Sequence, residues 1–245
     1  GSLQEPAGSQ PFLAGSGSAH KSVKLIVSDR AGKVLKLPEF LSFIGRADRS
    51  AETDQRLSGI FVAPPDDPAA AARPVLEQQG DILTLGWEKT PRASLSLPWP
   101  VADDGFSTVW ADKGGAGFAD GDAIFLNEEI AVTQYGRFRE SWRRRTADWA
   151  PLYKPGSKAR KAADLAKELL ARAHAEKDGA ARAKAFDAAL TAVSAAWQKM
   201  LFEHGLQISR ARQSKGSLRF GLVLDETIFQ RLDHYDRIIS AIKRT

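Results

Sequence analysis

Residues 127–149 read NEEIAVTQYGRFRESWRRRTADW, and the organisation of the whole chain turns on this stretch. Tyr135, Phe138, Trp142 and Trp149 recur at intervals of three, four and seven, which puts one apolar stripe on a helix. Asn127 has the side chain of an N-cap, and Glu128 and Glu129 stand where the positive end of a helix favours acids. Pro151 predicts the end, because its ring cannot continue the helix. Downstream the pattern stays helical. A second helix is predicted over about 157–177, with Leu165, Leu169 and Ala173 on one face and Gly179 as its C-terminal stop. A third, over about 180–214, aligns Phe186, Leu190, Val193, Trp197, Leu201, His204 and Ile208 on one seam and closes at Gly216. Leu218, Phe220, Leu222 and Leu224 then alternate in a short strand over 217–224, and a terminal amphipathic helix carries Ile228, Leu232, Tyr235, Ile239 and Ile242. Helices striped in this way supply one another with a core, so residues 127–245 are expected to form a helical hairpin or bundle with one late strand.

Upstream of Asn127 the period changes from that of helices to that of strands. Val23, Leu25 and Val27 alternate with other residues, Gly59 to Ala63 stops at Pro64-Pro65, and Asp81 to Trp87 runs into Thr90-Pro91. Residues 93–100, ASLSLPWP, form a period-2 strand that Pro98 and Pro100 are expected to end, and Phe106 to Ala111 adds another. Gly114, Gly115, Gly117 and Gly121 make residues 112–122 a loop. Four to six short strands at this spacing predict an antiparallel β-sandwich or jelly-roll-like module over 21–126. The fold class is therefore α+β: a disordered tail over 1–20, a β-rich module over 21–126 and a helical region over 127–245.

Charge divides at the same place. Residues 1–126 hold 12 Lys+Arg against 16 Asp+Glu, net −4, and residues 127–245 hold 23 against 14, net +9. A chain of 245 residues is long enough to bury roughly 70–75% of its unfolded surface. It has no cysteine, which excludes disulfides, thiolate zinc sites, iron–sulfur clusters and thiol nucleophiles. No run of about 18 apolar residues predicts a membrane span. The opening Gly1-Ser2 reads as a cloning scar, so a leader is expected to have been removed, and localisation leans to secreted or periplasmic.

Few residues propose chemistry. The acidic pairs Asp103-Asp104, Glu128-Glu129 and Asp225-Glu226 are adjacent in sequence, which points the two groups of each pair apart and leaves them as capping or solvated acids. His20, His174, His204 and His234 are too scattered for zinc hydrolysis, so no metal and no cofactor is expected. No phosphate-cradling glycine loop opens a helix after a strand. Arg137, Arg139, Arg143, Arg144 and Arg145 surround Trp142 and invite nucleic acid, but Trp142 belongs to the apolar stripe and Glu140 and Asp148 temper the patch. The β half holds three of six tryptophans, and aromatic faces near polar side chains are what sugar rings stack on. Trp87 and Trp110, with Phe106, Glu88 and Lys89, are the expected ligand-binding residues. Trp99, between Pro98 and Pro100, reads as a plug between sheet and helices.

Three segments in order resemble a known family: Leu95-Ser-Leu-Pro-Trp-Pro-Val101, the striped helix from Glu128 to Trp149, and Arg219-Phe-Gly-Leu-Val-Leu224 after a long helix. They are similar to the N-terminal region of bacterial multidomain proteins of glycoside hydrolase family 10, the endo-1,4-β-xylanase family, over roughly residues 80–240. The resemblance implies a module similar to carbohydrate-binding ones, then a helical connector, then a catalytic barrel whose first strand is Arg219-Phe220-Gly221. A barrel of this kind needs about 250 residues, and only 29 follow Gly216. The expectation is a non-catalytic module that binds xylan or a related β-glycan. The other readings are a protein-interaction scaffold that uses the basic helical half, with self-association through the long helix, and a glycoside hydrolase lacking its barrel.

Overall fold

The computed structural model describes residues 21–45, 59–101, 105–149 and 157–211. The predicted tail over 1–20, the strand over 217–224 and the terminal helix lie outside them. The fold is mixed α+β, with two sheets, and four α-helices among the described residues. The strands are β1 (Lys21–Ile26), β2 (Phe61–Ala63), β3 (Val75–Gln79), β4 (Ile82–Trp87), β5 (Ser94–Pro100), β6 (Phe106–Ala111) and β7 (Ala123–Phe125). The helices are α1 (Leu37–Phe43), α2 (Leu126–Trp149), α3 (Lys158–Ala175) and α4 (Gly179–Ala211).

One sheet has the order β3-β4-β1-β7 and the other β2-β5-β6. The register of β1 against β4 places Val23 opposite Leu85 and Leu25 opposite Leu83, all essentially inaccessible. β1 pairs with β7 in parallel, Ile26 opposite Phe125. Just past that pairing the Asn127 side chain continues the ladder: Ser28 N–H donates to Asn127 Oδ1 at 2.9 Å, and Asn127 Nδ2 donates to the Ser28 carbonyl at 2.8 Å. The expected N-cap role is thereby corrected. The helix already includes Leu126, and the buried amide of Asn127 serves the sheet as a peptide group would.

Strand β5 ends at Pro100, as expected, and runs through Pro98 before it. β2 pairs only with Ser94–Ser96, while β6 accompanies β5 from Leu95 to Pro100. The prolines therefore fall where β5 has one strand beside it among the described residues, and a missing donor costs no ladder bond there. α1, β3 and β7 are elements additional to those read from the sequence. β3 joins β4 through the two residues Gly80-Asp81, with Gly80 at φ 63°.

The helices correct two expectations. Gly179 does not stop α3, which ends at Ala175, but opens α4. The buried face of α3 is Ala159, Ala162, Ala166, Leu170 and Ala173, whereas Leu165 is half exposed. The small side chains let α3 and α4 approach closely, and Ala192, Val193, Ala196 and Met200 answer them from α4. Of the expected face, Ala173 is buried and Leu169 packs against the core, whereas Leu165 points away from a seam made mostly of alanine.

One apolar cluster runs without a break from both sheets through α1 into the start of α2, the end of α3 (Leu170, Ala173) and the start of α4 (Phe186, Ala189, Leu190). Trp99 lies within it, 1% exposed and edge-on to Phe43 at 5.1 Å between ring centres, at the position its flanking prolines predicted. Glu128 ties the three helices together. It meets His174 Nδ1 at 3.3 Å and the guanidinium of Arg182, and Arg182 in turn lies over the Phe125 and Phe186 rings. Gly32, at φ 86°, turns against the start of α4: a Cβ there would stand 2.5 Å from the Ala180 carbonyl oxygen. Among the described residues no helix is long and apolar enough to cross a membrane.

Candidate functional site

The five expected ligand-binding residues divide between the two sheets. Trp87 closes strand β4, in the four-stranded sheet, and Glu88 and Lys89 follow in the turn after it, while Phe106 and Trp110 belong to β6, in the three-stranded one. Leu83, Leu85 and Trp87 share one parity, so Trp87 points into the core and is only 4% exposed. Its indole N–H donates to the Thr90 carbonyl at 2.9 Å. An exposed stacking face at Trp87 is thus excluded; its ring forms a wall, and its polar edge is already used.

Trp110 has the opposite parity to the buried Val109 and Ala111, and α2 covers it in part. The Arg137 guanidinium lies 4.7 Å from the Trp110 ring centre. Arg137 Nη2 also donates to Asp112 Oδ2 at 2.8 Å, and Asp112 is buried. Asp112 Oδ1 accepts from the Gly115 N–H at 2.9 Å, and the Thr133 hydroxyl lies within hydrogen-bond distance of both Asp112 and Glu129. This network fixes the loop over 112–122 against α2, so Trp110 is engaged in structure on that face. Phe106, at the far end of the same face of β6, is 40% exposed.

Trp87, Glu88 and Lys89 do meet in a groove of about 420 Å3 at the junction of the two sheets. Val62 comes from β2, Pro64 and Arg73 from the connection that follows, and Val75 from the edge of β3. A reciprocal pair of backbone hydrogen bonds between Val62 and Ala72, 2.8 and 2.7 Å, pulls that connection against β2 and shapes one side. On the other side the turn after β4 is tightened by the Trp87–Thr90 bond and by Thr90 Oγ1 donating to the Arg92 carbonyl at 2.6 Å. Glu88 and Lys89 stand exposed at its tip. Gly86, opposite Val75 in the register, adds no side chain to the floor. The result is an apolar trough with a polar rim of Arg73, Glu88 and Lys89. Among the described residues that line it, Glu88 is the carboxylate.

The remaining candidates are dispersed. Glu128 and Glu129 point apart as their adjacency predicts, Glu128 to His174 and Arg182, Glu129 to the Lys113 N–H at 2.7 Å. Within the arginine cluster Arg137 serves Asp112, Arg139 lies over the Tyr135 ring, and Arg143 and Arg144 both hold Glu140. Asp103-Asp104 and Asp225-Glu226 lie outside the described residues. Among the described residues no three His, Asp or Glu side chains gather as a metal site. The groove's contributions from Val62, Pro64 and Arg73 were missed in the sequence, since they come from a neighbouring sheet and only the tertiary fold unites them with β4. No family model, curated protein or solved structure matches this chain.

Proposed function

We propose that the chain is a non-catalytic, carbohydrate-associated module of the kind that accompanies xylanase-like glycoside hydrolases, and that it holds a β-glycan such as xylan in the groove beside Trp87. On this reading the two sheets are the layers of a small β-sandwich-like unit carried on a helical bundle. The observation that carries it is the groove itself, where Val62, Pro64, Val75 and an edge of Trp87 offer apolar surface to a sugar ring and Arg73, Glu88 and Lys89 form a polar rim. Calorimetry with xylo-, cello- and manno-oligosaccharides tests it, comparing the wild type with a Glu88→Ala/Lys89→Ala variant. Binding is expected, weakened about tenfold in the variant by loss of charge-assisted hydrogen bonds. No heat with any of the three would end the reading. Trp87→Ala is the wrong probe, because removing a buried tryptophan costs roughly 3–5 kcal/mol of stability before any ligand is considered.

One observation favours a protein-interaction role for the helical half: Leu201, Phe202 and Leu206 are 44%, 63% and 37% exposed near the end of α4. Light scattering after size exclusion separates the two readings. A monomer at all concentrations argues against self-association through α4.

A further inference from the structure

A second concavity lies between α2 and α3, about 500 Å3 in volume, and none of the residues expected to bind ligand takes part in it. Its origin is the alanine seam. α4 packs closely on α3 through Ala162, Ala166, Ala192 and Ala196, and it packs on α2 through Phe138 and Trp197, 6.0 Å between ring centres. α2 and α3 touch each other only slightly, and a cleft opens between them over α4.

The floor of the cleft is aromatic: Phe138 is buried, and Tyr135 and Trp142 are half-buried beside it at 6.3 and 5.8 Å. The rim is charged, with Arg139, Arg143, Arg160 and Lys167 against Glu140 and Asp164, a surplus of two positive charges. Both carboxylates are already neutralised. Glu140 is held by Arg143 at 2.9 Å and Arg144 at 3.3 Å, and Asp164 faces Arg160 at 3.5 Å. Arg139 and Lys167 have no carboxylate partner among the described residues. Burial, opposed by Arg139, pushes the pKa of the Tyr135 hydroxyl up, so it stays a neutral donor.

We propose that this cleft binds the carboxylated units of an acidic saccharide, the ring resting on Tyr135 and Trp142 and the carboxylate meeting Arg139 and Lys167. That the ligand is a saccharide rests on the carbohydrate reading above; that it is an anion with an apolar face rests on the cleft alone. A hexuronate offers both features on one ring, an apolar face for stacking and a carboxylate at its edge, whereas a neutral pyranose leaves the two cations unanswered.

The test is calorimetry of the full chain with trigalacturonate, with neutral xylotriose and with a short single-stranded DNA, each at low and high salt. The variants are Arg139→Gln/Lys167→Gln and, as a control, Lys89→Ala. Arg139 and Lys167 are exposed, so the double variant should keep the wild-type melting temperature. Trigalacturonate is expected to bind, to lose at least about tenfold in affinity in the double variant, to weaken with salt, and to ignore Lys89→Ala. Absence of trigalacturonate binding to the wild type overturns the proposal, as does binding that the double variant leaves unchanged. Tighter, Arg139- and Lys167-dependent binding of the DNA overturns it in favour of a phosphate ligand. Xylotriose binding that responds to Lys89→Ala but not to the double variant would support the sheet groove alone, and the reverse pattern with trigalacturonate would support the cleft alone.

Discussion

Asp122 Oδ2 accepts from Lys113 Nζ and from the Ala119 N–H, both at 2.9 Å. The Lys113 hydrogen bond first, and then the Ala119 bond, hold its carboxyl below the usual carboxylate range. A depressed folded-state pKa adds stability above the unfolded value, and the addition is lost as pH falls through the folded one. Asp122→Asn is therefore expected to cost about 0.5–1 kcal/mol at neutral pH, with mutant and wild-type melting temperatures converging in acid. Melting curves from neutral pH down to acid check this, and a gap that persists below the folded-state pKa would refute it. Asp187 behaves in the opposite sense. Burial raises its carboxyl, with Arg30 at 3.9 Å opposing, so its contribution declines as pH rises past the carboxylate range. Trp87 was legible at this scale in principle, because Leu83, Leu85 and Trp87 alternate in the sequence and parity alone assigns the ring to the core. The cover that Arg137 gives Trp110 was not legible, since the two residues lie 27 positions apart and meet only when α2 crosses β6.

Between elements, α3 and α4 share the most extensive helix contact among the described residues, and alanine lines it. Ala166 is fully buried at the middle of the seam. Ala166→Leu should force the helices apart and destabilise the chain by about 1–3 kcal/mol, read from denaturant unfolding at constant slope. An unchanged midpoint would mean that the seam has room to spare. The same seam explains why the pattern of large apolar residues located α3, and put Ala173 and Leu169 on its packed side, but also put the half-exposed Leu165 there: periodicity weights leucine, whereas close packing selects the smallest side chain. Ser157 caps α3 as a start signal should, its hydroxyl oxygen accepting from the Arg160 N–H at 3.0 Å. α1 carried a comparable signal in Pro38 and Glu39 of its first turn, but at seven residues it is too short to show a period.

For the whole molecule, the charge division at Asn127 is not a division of the core. The principal apolar cluster includes residues from both sheets and from all four helices. Asn127 itself, at the boundary, is hydrogen-bonded to Ser28 in both directions. Unfolding is accordingly expected to be a single transition. Far-UV circular dichroism, dominated by α2, α3 and α4, and tryptophan fluorescence, to which Trp87, Trp99 and Trp110 of the sheets contribute, should give superimposable denaturation curves. Separate midpoints would show that the strand-built and helix-built parts fold independently.

The sequence alone determined the change from strands to helices near residue 126, the alternation of β1 and β5, and the burial of Trp99. Each of these follows from local periodicity, which a backbone of fixed repeat turns directly into a buried face. Tertiary structure decided where the grooves lie. The trough beside Trp87 needs Val62 from one sheet and Val75 from the other, and the cleft over Phe138 exists because α4 holds α2 and α3 side by side without closing them. Concavity belongs to the spacing between elements, and spacing is set by the side chains packed beneath them.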